Sequence, residues 1–111
     1  MRAKKLTDKA ILGTLKKHKK VLKKYNIKKI GLFGSFVRGE QKKNSDIDFL
    51  VEFELNKFGE NFKGLYDTFI DLSNYLENLF NRKVEILTPI SIETIRIKEV
   101  KDEIKRSVIY V

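Results

Sequence analysis

Cysteine is absent from these 111 residues, and histidine, methionine and proline occur once each. Without cysteine there is no disulfide framework and no thiolate metal site. No apolar run reaches the length needed to cross a bilayer, and the opening MRAKKLTDKA lacks the apolar stretch of a signal peptide. A cytoplasmic protein without membrane attachment is expected. Repeats and low-complexity linkers are missing too, so residues 1–111 are expected to form a single domain.

What is present is a foldable mixture, 41% hydrophobic and 35% charged. Lys and Arg number 24 against 15 Asp and Glu, a net charge of +9. One reading is a nucleic-acid surface. The other is a solvated, lysine-rich exterior of the kind enriched in proteins from hot environments, with attraction to an acidic partner protein in between. Aromatic residues do not interleave with the basic run to offer stacking platforms, so direct nucleic-acid binding is not favoured.

Apolar residues recur at helical spacing from Thr7 to Tyr25 (Ile11, Leu15, Leu22), with lysines filling the other face and Thr7 as N-cap. His18 falls on the apolar stripe and reads as an edge-of-core histidine. Asn26 breaks this helix, and 27–33 reads as a strand ending at Gly34. A second strand spans Asp46 to Phe53. Phe62, Leu65, Phe69, Leu72, Leu76 and Phe80 then mark a long amphipathic helix. KVEIL (83–87) is a third strand, stopped by Pro89. A helix from about Ser91 or Thr94 to Lys105 and an apolar tail, VIYV, complete the chain. The expected class is α+β: a small mixed sheet flanked by helices.

The informative stretch is GLFGSFVRGEQKKNSDIDFL (31–50). Residues two apart on a strand share a face, so Asp46 and Asp48 point the same way. Two such carboxylates repel and are costly to bury unless a cation neutralises them. With no cysteine and one poorly placed histidine, the cation should be hard and oxygen-ligated, and Mg²⁺ is the natural candidate. Upstream, Gly34 permits a tight turn and a short helix begins near Ser35. Its N–H groups and the Ser35 hydroxyl suit phosphate oxygens, and Arg38 lies one turn on, within reach of a phosphate or a partner. A lone Gly-Ser is a turn in most proteins, and a lone Asp-Ile-Asp is often solvated. Joined by a ten-residue spacer between apolar strands, they are hard to obtain by accident.

Gly34-Ser35, ten residues, then Asp46-Ile47-Asp48 resembles the signature of the polymerase-β nucleotidyltransferase superfamily. More narrowly, GSFVRGEQKKNSDIDFLVEF, KVEILTP and IKEVKDEIKRSVIYV resemble the minimal nucleotidyltransferases, antitoxins paired with HEPN ribonuclease toxins. The resemblance covers most of the chain from Ile27 onward. It implies a nucleotidyltransferase fold and a third carboxylate at Glu85, where family members more often carry aspartate. The bland alternative for Glu85 is an outward acid on an edge strand, between inward Val84 and Ile86. It further implies two Mg²⁺ ions held by Asp46, Asp48 and Glu85, ATP as donor, and nucleotide contacts from Gly34, Ser35 and Arg38. The implied reaction moves AMP to a hydroxyl, a tyrosine by resemblance, of a partner HEPN toxin. Glu85 is the first choice to take the acceptor proton and an aspartate the second. Two alternatives stand beside this: an antitoxin that acts by binding alone, and an enzyme acting on RNA ends.

Overall fold

The computed structural model describes residues 6–111. Its centre is a four-stranded sheet in the order β3-β2-β1-β4, with β1 at Ile27–Phe33, β2 at Ile47–Phe53, β3 at Val84–Leu87 and β4 at Ile109–Tyr110. β2 and β4 run antiparallel to β1, whereas β3 runs parallel to β2. The parallel pair needs a crossover, and the longest helix, α4 (Leu65–Phe80), supplies it. The expected mixed sheet with flanking helices is therefore what forms.

Alternation along the strands divides the core into two layers. Ile30 and Leu32 of β1, with Ile47, Phe49, Val51 and Phe53 of β2, join Leu72 and Leu76 of α4 and the two N-terminal helices in the larger cluster. Phe33 and Leu50 face the other way and pack with Ile92 and Ile104 from the C-terminal helices. That smaller layer leaves part of the sheet's second face open, and Asp48 lies on it beside Leu50.

Two helices expected as continuous are broken. The first divides into α1 (Asp8–Lys17) and α2 (Lys19–Lys23) at His18, whose backbone leaves the helical region at φ −103°, ψ 18°. His18 is half-buried and its Nδ1–H donates to the Thr14 carbonyl at 2.9 Å, which satisfies the ring as an edge-of-core group. Thr7 caps α1 as expected, accepting from the Ala10 N–H at 3.1 Å. The C-terminal helix divides into α5 (Pro89–Glu93) and α6 (Lys98–Ser107). Thr88 caps α5 by accepting from the Ser91 N–H, with Pro89 in the first turn, where its missing N–H costs nothing. Glu93 then ties α5 to α6 through Lys101 at 2.8 Å and Lys105 at 2.6 Å. Hydrogen bonds from those two ammonium groups hold its carboxyl down at about 2.

Phe62, expected on the long helix, lies before it in a short 3-10 turn and is exposed. Positive φ at Asn61, Phe62 and Gly64 turns the chain into α4 only at Leu65. At the opposite edge, Gly31 lets β4 approach β1. A Cβ there would lie 2.7 Å from Val108 Cγ2 and 3.1 Å from the Ile109 carbonyl oxygen. Gly31→Ala should therefore lower stability by about 1–3 kcal/mol in urea unfolding and loosen residues 109–110. Unchanged stability would show that β4 is not seated on β1.

Candidate active site

The site forms where β1 ends and β2 and β3 begin. Asp48 is the second residue of β2; its neighbours across the ladder are Phe33, the last residue of β1, and Glu85, the second of β3. Parallel pairing in this register sets the Asp48 and Glu85 side chains side by side on the open face. Asp46 lies one residue before β2 rather than within it, and is exposed.

Gly34 follows β1 directly and caps α3 (Ser35–Arg38) at φ 80°, ψ −150°, a region essentially reserved for glycine. The same residue is required for a second reason: a Cβ on Gly34 would overlap Asp48 Oδ2 and lie 3.0 Å from Asp48 Cγ. The Asp48 carboxylate occupies the space that any other side chain would fill. The turn and the acid are thus one unit, although fourteen positions separate them in the chain. α3 closes after a single turn at Gly39, φ 72°.

Gly34, Arg38, Asp48 and Glu85 line a cleft of about 700 Å³, which Glu99 and Glu103 of α6 flank on its other side. Phe33, Leu87 and Ile104 give the cleft apolar walls. Ser35 is half-buried at the start of α3 and, like Asp46, lies outside the cleft lining. Arg38 pairs with Glu40 at 3.2 Å on the exposed rim. The two α6 glutamates went unremarked in the sequence. Their i, i+4 spacing was visible, but which face of α6 meets the cleft depends on how that helix packs.

Asp48 carries the electrostatic tension of the site. Burial pushes its carboxyl up to about 6; the Glu85 charge and a hydrogen bond shared with Glu85 add to this, then the Asp46 charge, while Arg38 opposes. Negative charge has been assembled with too little counter-charge. The donors are all oxygens, which suits a hard divalent cation such as Mg²⁺. Among the described residues, no three acidic, histidine or cysteine groups converge into a complete ligand cage. The preformed element is the Asp48–Glu85 pair, with Asp46 at its edge.

Comparison with known proteins agrees with this fold. The nucleotidyltransferase domain family matches residues 15–111. A Methanocaldococcus jannaschii protein named "Putative protein adenylyltransferase MJ1379" is 43% identical over 98 residues, covering 87% of this chain and 90% of that protein. Protein adenylyltransferase MntA of Thermococcus cleftensis is 36% identical over 111 residues, covering 96% and 97%. A solved structure described as a "putative minimal nucleotidyltransferase" superimposes with a TM-score of 0.67 at 20% identity, covering 96% of this chain and 98% of that one. A toxin–antitoxin crystal structure with AMP-PNP gives 0.57 at 21%, covering 86% and 69%. The chain belongs to the nucleotidyltransferase domain family and is a nucleotidyltransferase.

Because the Asp48 pKa is raised on folding, the stability this group contributes is complete below its ordinary value of 3.8. It is lost as pH rises through about 6. Asp48→Asn should therefore stabilise the metal-free protein at pH 7.5 by about 1–2 kcal/mol, allowing for solvent screening at a half-exposed position. The advantage should vanish near pH 4. Equal melting curves at both pH values would remove the charge conflict.

Proposed function

We propose that the chain is a Mg²⁺-dependent adenylyltransferase that moves AMP from ATP to a hydroxyl, a tyrosine by family resemblance, of a partner HEPN ribonuclease toxin, and so acts as its antitoxin. The observation that carries the chemistry is the Asp48–Glu85 carboxylate pair set against the Gly34 turn in an open cleft. A relative named as a protein adenylyltransferase, alike over nearly its whole length, supports a protein acceptor. The shared fold with a toxin–antitoxin structure holding AMP-PNP fits that reading.

Asp46, Asp48 and Glu85 would hold the metal, two ions in the full form, which supplies charge neutralisation on the triphosphate and leaving pyrophosphate. Their excess negative charge is what such a cation relieves. In α3 the Val37 and Arg38 N–H groups donate to the Gly34 carbonyl at 3.1 Å, so the Ser35 and Phe36 N–H groups, with the Ser35 hydroxyl, are the donors offered to phosphate oxygens. Arg38, at the cleft rim, adds positive charge toward the same groups. Glu85, exposed beside Asp48, takes the proton from the acceptor hydroxyl. The freed oxygen bonds to the α-phosphorus, and the bond to the β-phosphate bridging oxygen breaks, releasing pyrophosphate. AMP on the toxin then adds bulk and negative charge where RNA would bind.

The cleft lies where the sheet's second face is left open, so an acceptor carried on another molecule can reach it. The lysines of α1 and α2 are spread over exposed positions, as expected of a solvated face.

Wild type should transfer label from ATP labelled on its α-phosphate to a protein band in source-cell lysate with Mg²⁺. The Asp46→Asn/Asp48→Asn double variant should not. Label passing into RNA, or transfer by the double variant, would overturn the reading. Ser35→Ala should weaken transfer by about 1.5–3 kcal/mol, the range for one hydrogen bond to a charged group. Full activity in that variant would free the hydroxyl from any role.

A further inference from the structure

We propose that Arg82 is a positioning residue that locks the phosphate-binding turn to the acid-bearing end of β2; this rests on the assignment of Ser35 and Asp46 above. The Gly34 contact fixes Asp48 to the turn, but Asp46 lies outside the ladder that holds Asp48. Something must set where it stands. The Arg82 Nη1 donates to the Ser45 carbonyl at 3.1 Å, the residue immediately before Asp46. The same guanidinium lies 5.5 Å from the centre of the Phe36 ring, the residue immediately after Ser35. Phe36 is fully buried, so its contact fixes the guanidinium against the larger core layer as well.

Both ends of this brace are anchored. Ser45 closes the turn 42–45, donating its N–H to the Lys42 carbonyl at 3.0 Å and accepting from the Lys42 N–H at 2.7 Å. Arg82 follows Asn81, which ends α4 in the left-handed region at φ 51°. Its own N–H donates to the Glu77 carbonyl at 3.2 Å. The Glu77 carboxylate accepts from the Val84 N–H at 3.1 Å, and the Lys83 carbonyl accepts from the Ile47 N–H at 3.0 Å. The stem of Arg82 is therefore set, and only its fork reaches across.

The residue type is specific. A lysine has one point of charge and no planar face, so it meets the carbonyl or the ring but not both. The chain uses only five arginines among 24 basic residues, and this one is half-buried in a helix-to-strand turn. Arg82 touches no reacting atom; it acts through Ser45 on Asp46 and through Phe36 on Ser35.

Hydrogen exchange on wild type, Arg82→Lys and Arg82→Met tests the brace without any substrate. Exchange should rise about 10- to 100-fold, the range for one hydrogen bond to a charged group, in residues 34–38 and 42–46 of Arg82→Met, and in at least one of those two segments of Arg82→Lys. α1 and the centre of α4 should stay unchanged. Titrating Mg²⁺ in the presence of AMP-PNP should then require about tenfold more metal for half-saturation in the variants, which lost packing alone would not produce. Unchanged exchange at 34–38 and 42–46 would overturn the proposal. If exchange rises there but wild type binds no Mg²⁺, the brace stands and the metal assignment falls.

Discussion

The site depends on one contact, the Asp48 carboxylate lying against the backbone of Gly34 where no side chain fits. It joins the end of β1 to the start of β2 and leaves the carboxylate half-buried beside Glu85. Most folds would avoid such a pairing, since two acids in that position repel and lose solvation. Its persistence here, with the Asp48 carboxyl pushed up to about 6, is intelligible if the arrangement serves a cation rather than the fold.

The sheet makes that contact possible by being asymmetric. One face is filled by α1, α2 and α4 and carries most of the core. The other is covered only in part by α5 and α6, leaving the cleft over Asp48 and Glu85. A parallel β2–β3 pair aligns the starts of both strands, so acids at the second position of each become neighbours. An antiparallel pair would have set the start of one strand against the end of the other. The long crossover helix that parallel pairing requires is also what seals the larger layer.

Much of this was legible in the chain. Apolar spacing located α4 and the first two strands, and the Gly-Ser turn with its paired aspartates identified the chemistry. The breaks in the helices were not legible. The stripe of apolar residues runs through His18 without a breaker, and the interruption lies in a side chain that bonds its own helix at Thr14. Residues 94–97 contain neither glycine nor proline, yet α5 must leave the sheet there so that α6 can close the cleft. Phe62 looked like helix because its spacing to Leu65 and Phe69 is helical. Left-handed backbone at Asn61 and Phe62 overrides that pattern.

Sequence by itself determined which side chains are available: paired acids in a chain without cysteine, and a Gly-Ser turn between two apolar strands. These follow from residue type and local spacing, which act over a few positions. Tertiary structure alone decided which acids meet. Asp46 and Asp48 are nearest in sequence, yet the preformed pair is Asp48 with Glu85, because strand register outranks chain proximity. The α6 glutamates beside the cleft, and Arg82 against Ser45 and Phe36, are likewise tertiary placements. Their positions are set by how helices end and pack, and no local pattern encodes that.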